Sequence, residues 1–128
     1  HRMGFYDMIM LKDNHIDFCG GIDNAIKKTN NYLKKNNITL KIVIEARSMA
    51  DVELIIKTGG VDRILLDNFN IPDTIAAVKM INGRFETESS GGITLGTLRQ
   101  YGECGVDYIS VGSLTHQIKS LDMSLKAV

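Results

Sequence analysis

Short apolar runs alternate along this chain with longer segments that carry apolar residues at helical steps. The runs are Met8–Leu11, Ile42-Val43-Ile44, Ile64-Leu65-Leu66, a stretch around Phe85, and Ile109-Ser110-Val111. Taking Ile42, Ile64, Phe85 and Ile109 as markers, the spacings are 22, 21 and 24 residues. Ser48 is placed to cap a helix over Met49–Thr58, where Met49, Val52, Ile55 and Ile56 share one face and Gly59-Gly60 stops it. Pro72 suits the first turn of a helix over Asp73–Ile81, ended by Asn82-Gly83. Thr94 is expected to cap Leu95–Cys104, and Ile22–Asn36 reads as a helix whose Lys/Asn-rich tail is solvated.

Strand and helix alternating at this spacing predict parallel βα units, in a doubly wound sheet or a (β/α) barrel. A weak echo supports repeated units. Gly60-Val61-Asp62-Arg63-Ile64 and Gly105-Val106-Asp107-Tyr108-Ile109 share Gly-Val-Asp-x-Ile, 45 residues apart. The strands are expected to be apolar almost throughout, as when both faces of a sheet are covered.

Composition narrows the function classes. The 128 residues, 44% hydrophobic and 23% charged, suit one globular domain. Fifteen basic residues balance fifteen acidic ones. Without a basic excess, neither nucleic acid nor a membrane surface is an expected partner. No apolar run approaches the length of a membrane span. Two cysteines, Cys19 and Cys104, are too few for a disulfide framework and suit a reducing cytoplasm. Arg2, Asp7, Lys12 and Asp13 argue against a secretory leader, and the His-Arg start fits a portion of a longer chain.

The chemistry gathers at the carboxyl end of each run. Met8–Leu11 leads into Lys12-Asp13-Asn14-His15, Ile42–Ile44 into Glu45, Ile64–Leu66 into Asp67-Asn68, the Phe85 stretch into Glu88-Ser89-Ser90-Gly91-Gly92, and Ile109–Val111 into Gly112-Ser113. In a barrel these ends meet on the catalytic rim. Ser90, Gly91 and Gly92, followed by an expected helix from Ile93, can bring backbone N–H groups to an anion, and Val111-Gly112-Ser113 offers a second small-residue loop. Tight βα turns are the bland alternative for either loop alone; the pair favours phosphate. Glu45 and Asp67 could hold Mg²⁺ through water, bind sugar hydroxyls or stabilise positive charge, or else cap a helix or pair with Arg47. His1, Arg2, Lys12 and His15 form a cationic cluster suited to an anionic substrate, against a merely solvated basic end. His116 is either a phosphate donor or a surface residue.

These residues resemble a known family. His1-Arg2-x-Gly4, Asp7, Met10-Leu11-Lys12-Asp13-Asn14-His15-Ile16, Ile44-Glu45-Ala46, Leu65-Leu66-Asp67-Asn68, Glu88-Ser89-Ser90-Gly91-Gly92-Ile93 and Gly105–His116 follow the order seen in quinolinate phosphoribosyltransferases. The resemblance covers nearly the whole chain, 1–128, and implies the C-terminal part of a (β/α) barrel, without the family's N-terminal α/β sandwich and first barrel strands. It implies transfer of phosphoribose from 5-phosphoribosyl pyrophosphate (PRPP) to quinolinate with decarboxylation, using Mg²⁺, in a homodimer. By the same resemblance Arg2 and Lys12, with His1, would bind quinolinate. Glu45 and Asp67 would flank the ribose and the metal, and Ser90, Gly91, Gly92, Val111, Gly112 and His116 would hold a phosphate. The rival expectations are a related phosphoribosyltransferase acting on another base, and a phosphate-binding portion that does no chemistry alone.

Overall fold

A computed structural model describes residues 8–112 and 114–118. The order is β1 (Met8–Leu11), α1 (Asp13–Cys19), α2 (Ile22–Lys35), β2 (Lys41–Ala46), α3 (Met49–Thr58), β3 (Arg63–Asp67), α4 (Ile71–Ile81), β4 (Glu86–Ser90), α5 (Leu98–Glu103), β5 (Tyr108–Val111) and β6 (Leu114–Gln117). The six strands form one sheet in sequence order, β1 to β5 parallel and β6 antiparallel to β5. The parallel βα units are those the periodicity predicts, and the sheet is a curled half-barrel, the incomplete (β/α) barrel that the family resemblance implies.

The helices pack against one face of the sheet. Leu11, Ile42, Ile44, Ala46, Ile64, Leu66 and Ile109 point into that layer and join Ile16, Ile26, Val52, Ile55, Ala77 and Ile81 in the core. Ile44, Ile64, Leu66 and Ile109 are completely buried, so trimming any of them to alanine would cost about 2–5 kcal/mol. Helix α2 is polar overall yet buries Ile22, Ala25, Ile26, Thr29 and Leu33, a single stripe at three- and four-residue steps. Ser48 caps α3 by accepting from the Asp51 N–H, and Asn70 caps α4 through the Asp73 N–H, with Pro72 in the first turn and Asn82 left-handed at the end.

The sequence echo has a structural meaning. Asp62 accepts the backbone N–H of Ile42 through Oδ2 at 2.8 Å, and Asp107 accepts that of Thr87 at 2.9 Å. The Asp62 and Asp107 N–H groups donate back to the carbonyls of the same two residues. Each Gly-Val-Asp thus stitches the foot of its strand to the strand before it.

Three expectations are corrected. Strand β4 begins at Glu86, after Phe85, and is polar: Glu-Thr-Glu-Ser-Ser, with Thr87, Glu88 and Ser89 buried. It tolerates burial because all but one of these side chains has a partner. The helix expected over Leu95–Cys104 is shorter, because Thr94 and Thr97 hydrogen-bond to one another in a turn that competes with helix, and α5 starts at Leu98. Val111-Gly112 enters a two-residue hairpin turn, not a βα loop, since Val111 pairs with Leu114.

Candidate active site

The strand register fixes which side chains share the concave face. The pairs Val43↔Arg63, Leu65↔Glu88 and Asp67↔Ser90 place Glu45, Asp67 and Ser90 on that face, opposite the core residues that alternate with them. Leu11 pairs with Ile44, so Lys12 follows beside Glu45 at the carboxyl ends of β1 and β2. Four of the expected residues, Lys12, Glu45, Asp67 and Ser90, are therefore neighbours along one rim.

Their local contacts explain the motifs around them. Lys12 is extended and exposed and opens α1 without capping it through its own side chain. Glu45 supplies the acceptor instead: its Oε1 takes the Asp13 N–H at 3.1 Å. The capping alternative for Glu45 is thus realised, and it leaves Oε2 for other work. Arg47 pairs with Asp13 at 3.1 Å, an exposed contact worth less than about 1 kcal/mol. Asp67 has one long contact, from the Ser90 hydroxyl at 3.5 Å.

Next to Asp67, Asn68 adopts a left-handed backbone (φ 61°), and its N–H donates to the Ser90 carbonyl at 2.7 Å. That turn crowds Gly91. A Cβ there would lie 2.9 Å from the Asn68 nitrogen and 3.2 Å from Asp67 Oδ1, at a φ of 91°. Only glycine fits, so the Leu-Asp-Asn and Ser-Gly-Gly segments are mated pieces. The helix expected to aim its N-terminus at this loop does not adjoin it, because α5 begins six residues after Gly92.

The hairpin β5–β6 carries the remaining expected residues. Gly112 stands at its tip with φ 63°, and the Val111 side chain packs against the core, leaving its backbone to the turn. His116 pairs with Ile109 on the descending leg of the hairpin. His1 and Arg2 lie outside the described residues, as does Ser113.

Below the rim sits a buried polar group that the sequence reading missed. Arg63 Nη1 donates to Glu88 Oε1 at 2.8 Å, its Nε reaches Glu86 at 3.3 Å, and its guanidinium lies 3.6 Å above the Tyr108 ring. The Ser110 hydroxyl donates to Glu88 Oε2 at 2.5 Å. Burial disfavours the charged form of Arg63, but the hydrogen bond and charge of Glu88, with Glu86, outweigh it and hold its pKa above the ordinary value. The one available signal was the two glutamates of Glu86-Thr87-Glu88 at strand alternation.

The sequence profile described as "Quinolinate phosphoribosyl transferase, C-terminal domain" matches residues 1–126. The chain belongs to the quinolinate phosphoribosyl transferase family. It is 44% identical to the chloroplastic nicotinate-nucleotide pyrophosphorylase (carboxylating) of Arabidopsis thaliana, over 98% of this chain and 40% of that protein. A probable nicotinate-nucleotide pyrophosphorylase (carboxylating) of Bacillus subtilis is 41% identical over 98% of this chain and 42% of its own length. The crystal structure of the Ehrlichia chaffeensis nicotinate-nucleotide pyrophosphorylase superposes with a TM-score of 0.75 at 38% identity, covering 82% of this chain and 36% of that one. This quinolinate phosphoribosyl transferase domain therefore spans about 40% of the length of the curated relatives it matches. Among the described residues no helix is long and apolar enough to cross a membrane.

Proposed function

We propose that this chain forms the carboxyl-terminal, rim-bearing part of an enzyme that moves phosphoribose from PRPP to the quinolinate nitrogen. The C1–O bond to pyrophosphate breaks as the C1–N bond forms. One carboxylate then leaves as CO₂, a proton takes its place on the ring, and the product is nicotinate mononucleotide for NAD biosynthesis. The observation that carries this reading is the placement of Lys12, Glu45, Asp67 and Ser90 side by side on one concave rim.

In this reading Lys12, with His1 and Arg2, holds the quinolinate carboxylates as cations. Glu45 and Asp67 face the ribose and favour the positive charge that grows at C1 as pyrophosphate departs. Ser90, Gly91, Gly92, Val111 and Gly112 present hydroxyl and backbone N–H groups to a phosphate, with His116 as a further donor from the hairpin.

Glu45 and Asp67 also suit Mg²⁺. They are two hard-oxygen donors with acceptor capacity left over, and among the described residues no cluster of three or more His, Cys, Asp or Glu forms a dedicated metal cage. An ion shared between such carboxylates, water and substrate phosphates is the usual Mg²⁺ arrangement. When bound, it would neutralise the pyrophosphate leaving group.

We further propose a homodimer or higher homo-oligomer in the full-length protein and residence in the cytoplasm, the latter consistent with two free cysteines. The test is an assay of nicotinate mononucleotide formation by the full-length protein and its Lys12→Ala variant. Lys12→Ala is expected to raise the KM for quinolinate by about tenfold or more and to move that for PRPP much less. An equal rise in both overturns the assignment of Lys12, and nicotinate accepted in place of quinolinate overturns the substrate. The 128-residue chain alone is expected to give no turnover.

A further inference from the structure

We infer that Glu88 is a positioning residue that sets the place of the β5–β6 hairpin at the rim; this deepens the phosphate-site reading above and rests on it. The hairpin needs such a device. Above the Asp107–Thr87 stitch at its foot, it joins the parallel sheet through only two register pairs, Glu88↔Tyr108 and Ser89↔Ile109, and β6 lies outermost among the described strands. The backbone ladder therefore leaves its tilt weakly determined.

One buried carboxylate supplies the missing constraint. Its Oε2 accepts from Ser110 on the ascending leg at 2.5 Å and lies 3.5 Å from the Thr115 hydroxyl on the descending leg, while Ser110 and Thr115 are 3.1 Å apart. Both contacts fall within three residues of Gly112. Its Oε1 is held by Arg63, which is itself fixed by Glu86 and by stacking on Tyr108. Glu88 is 4% exposed and Arg63 6%, so water competes little for the bond between them, while Ser110 is half-buried and Thr115 exposed. The chain of contacts runs from β3, which carries Asp67, through β4, which carries Ser90, to the hairpin tip at Gly112. Glu88 thus sets the distance between the two small-residue loops that a phosphate would bridge.

The experiment compares wild type, Glu88→Gln, Glu88→Ala and the double variant Ser110→Ala/Thr115→Val in the full-length protein. Kinetics are run with each substrate, and calorimetric titrations are made with PRPP and with quinolinate separately. Glutamine keeps a carbonyl for Arg63 and an amide N–H for the hydroxyls, so it is expected to retain PRPP affinity within about threefold. Alanine and the double variant are expected to weaken PRPP by about tenfold or more, with quinolinate affinity unchanged. The double variant leaves Arg63 and Glu88 paired, which separates lost tethering from a stranded buried charge. PRPP affinity unmoved in it overturns the inference, as does equal weakening of both substrates. A wild type that binds PRPP without turnover overturns the functional reading alone, and one that does not bind PRPP overturns both.

Discussion

Glu45 does two jobs that are usually argued as alternatives. It caps α1 through the Asp13 N–H and also stands on the rim beside Lys12. The motif residues were legible because side-chain chemistry recurs at strand ends, but their fit was not. Nothing in a sequence says that a Cβ at Gly91 would strike the Asn68 backbone. Gly91→Ala is expected to lose about 1–3 kcal/mol from φ strain, before the steric clash, as read by urea unfolding. Ser89 makes the opposite case. Its hydroxyl is buried on the core side without a partner, so Ser89→Ala is expected to gain about 1 kcal/mol in the same measurement. Burial, and then the charge of Glu103, push the Cys104 thiol above its ordinary value of 9.0. A pKa raised on folding adds stability that is present below pH 9 and lost as pH rises past it. Stability should therefore fall in alkaline solution, and Cys104→Ala should flatten that slope.

At the scale of elements, period and caps carried most of the fold. Ser48, Asn82 and Gly59 mark helix ends by local chemistry, which needs no knowledge of distant contacts. Strand β4 escaped the same logic because its polarity is balanced by partners on β3 and β5, up to 25 residues away in sequence. The hairpin escaped because a glycine after an apolar run serves a βα loop and a two-residue turn equally well. The Gly-Val-Asp repeat was visible as a pattern without a purpose. Its purpose is to answer a backbone N–H with a carboxylate, so Asp107→Ala should cost about 1.5–3 kcal/mol, measurable by thermal or urea unfolding.

The described strands form a curled sheet whose outermost members, β1 and β6, each have one partner. Met8 and Met10 are exposed along β1, and such an edge invites pairing with another chain. The 128-residue chain made alone is expected to self-associate, seen as a rising mass with concentration in light scattering; a monomer throughout would mean the edge is covered. That the chain is an incomplete barrel was legible from its units and the family resemblance, because each βα unit declares itself locally while closure does not. The two aspartate stitches have a wider consequence. They lock the foot of the scaffold by bonds that owe nothing to whatever occupies its crown, so the loops above can be rewritten for a different ligand while the framework beneath keeps its shape.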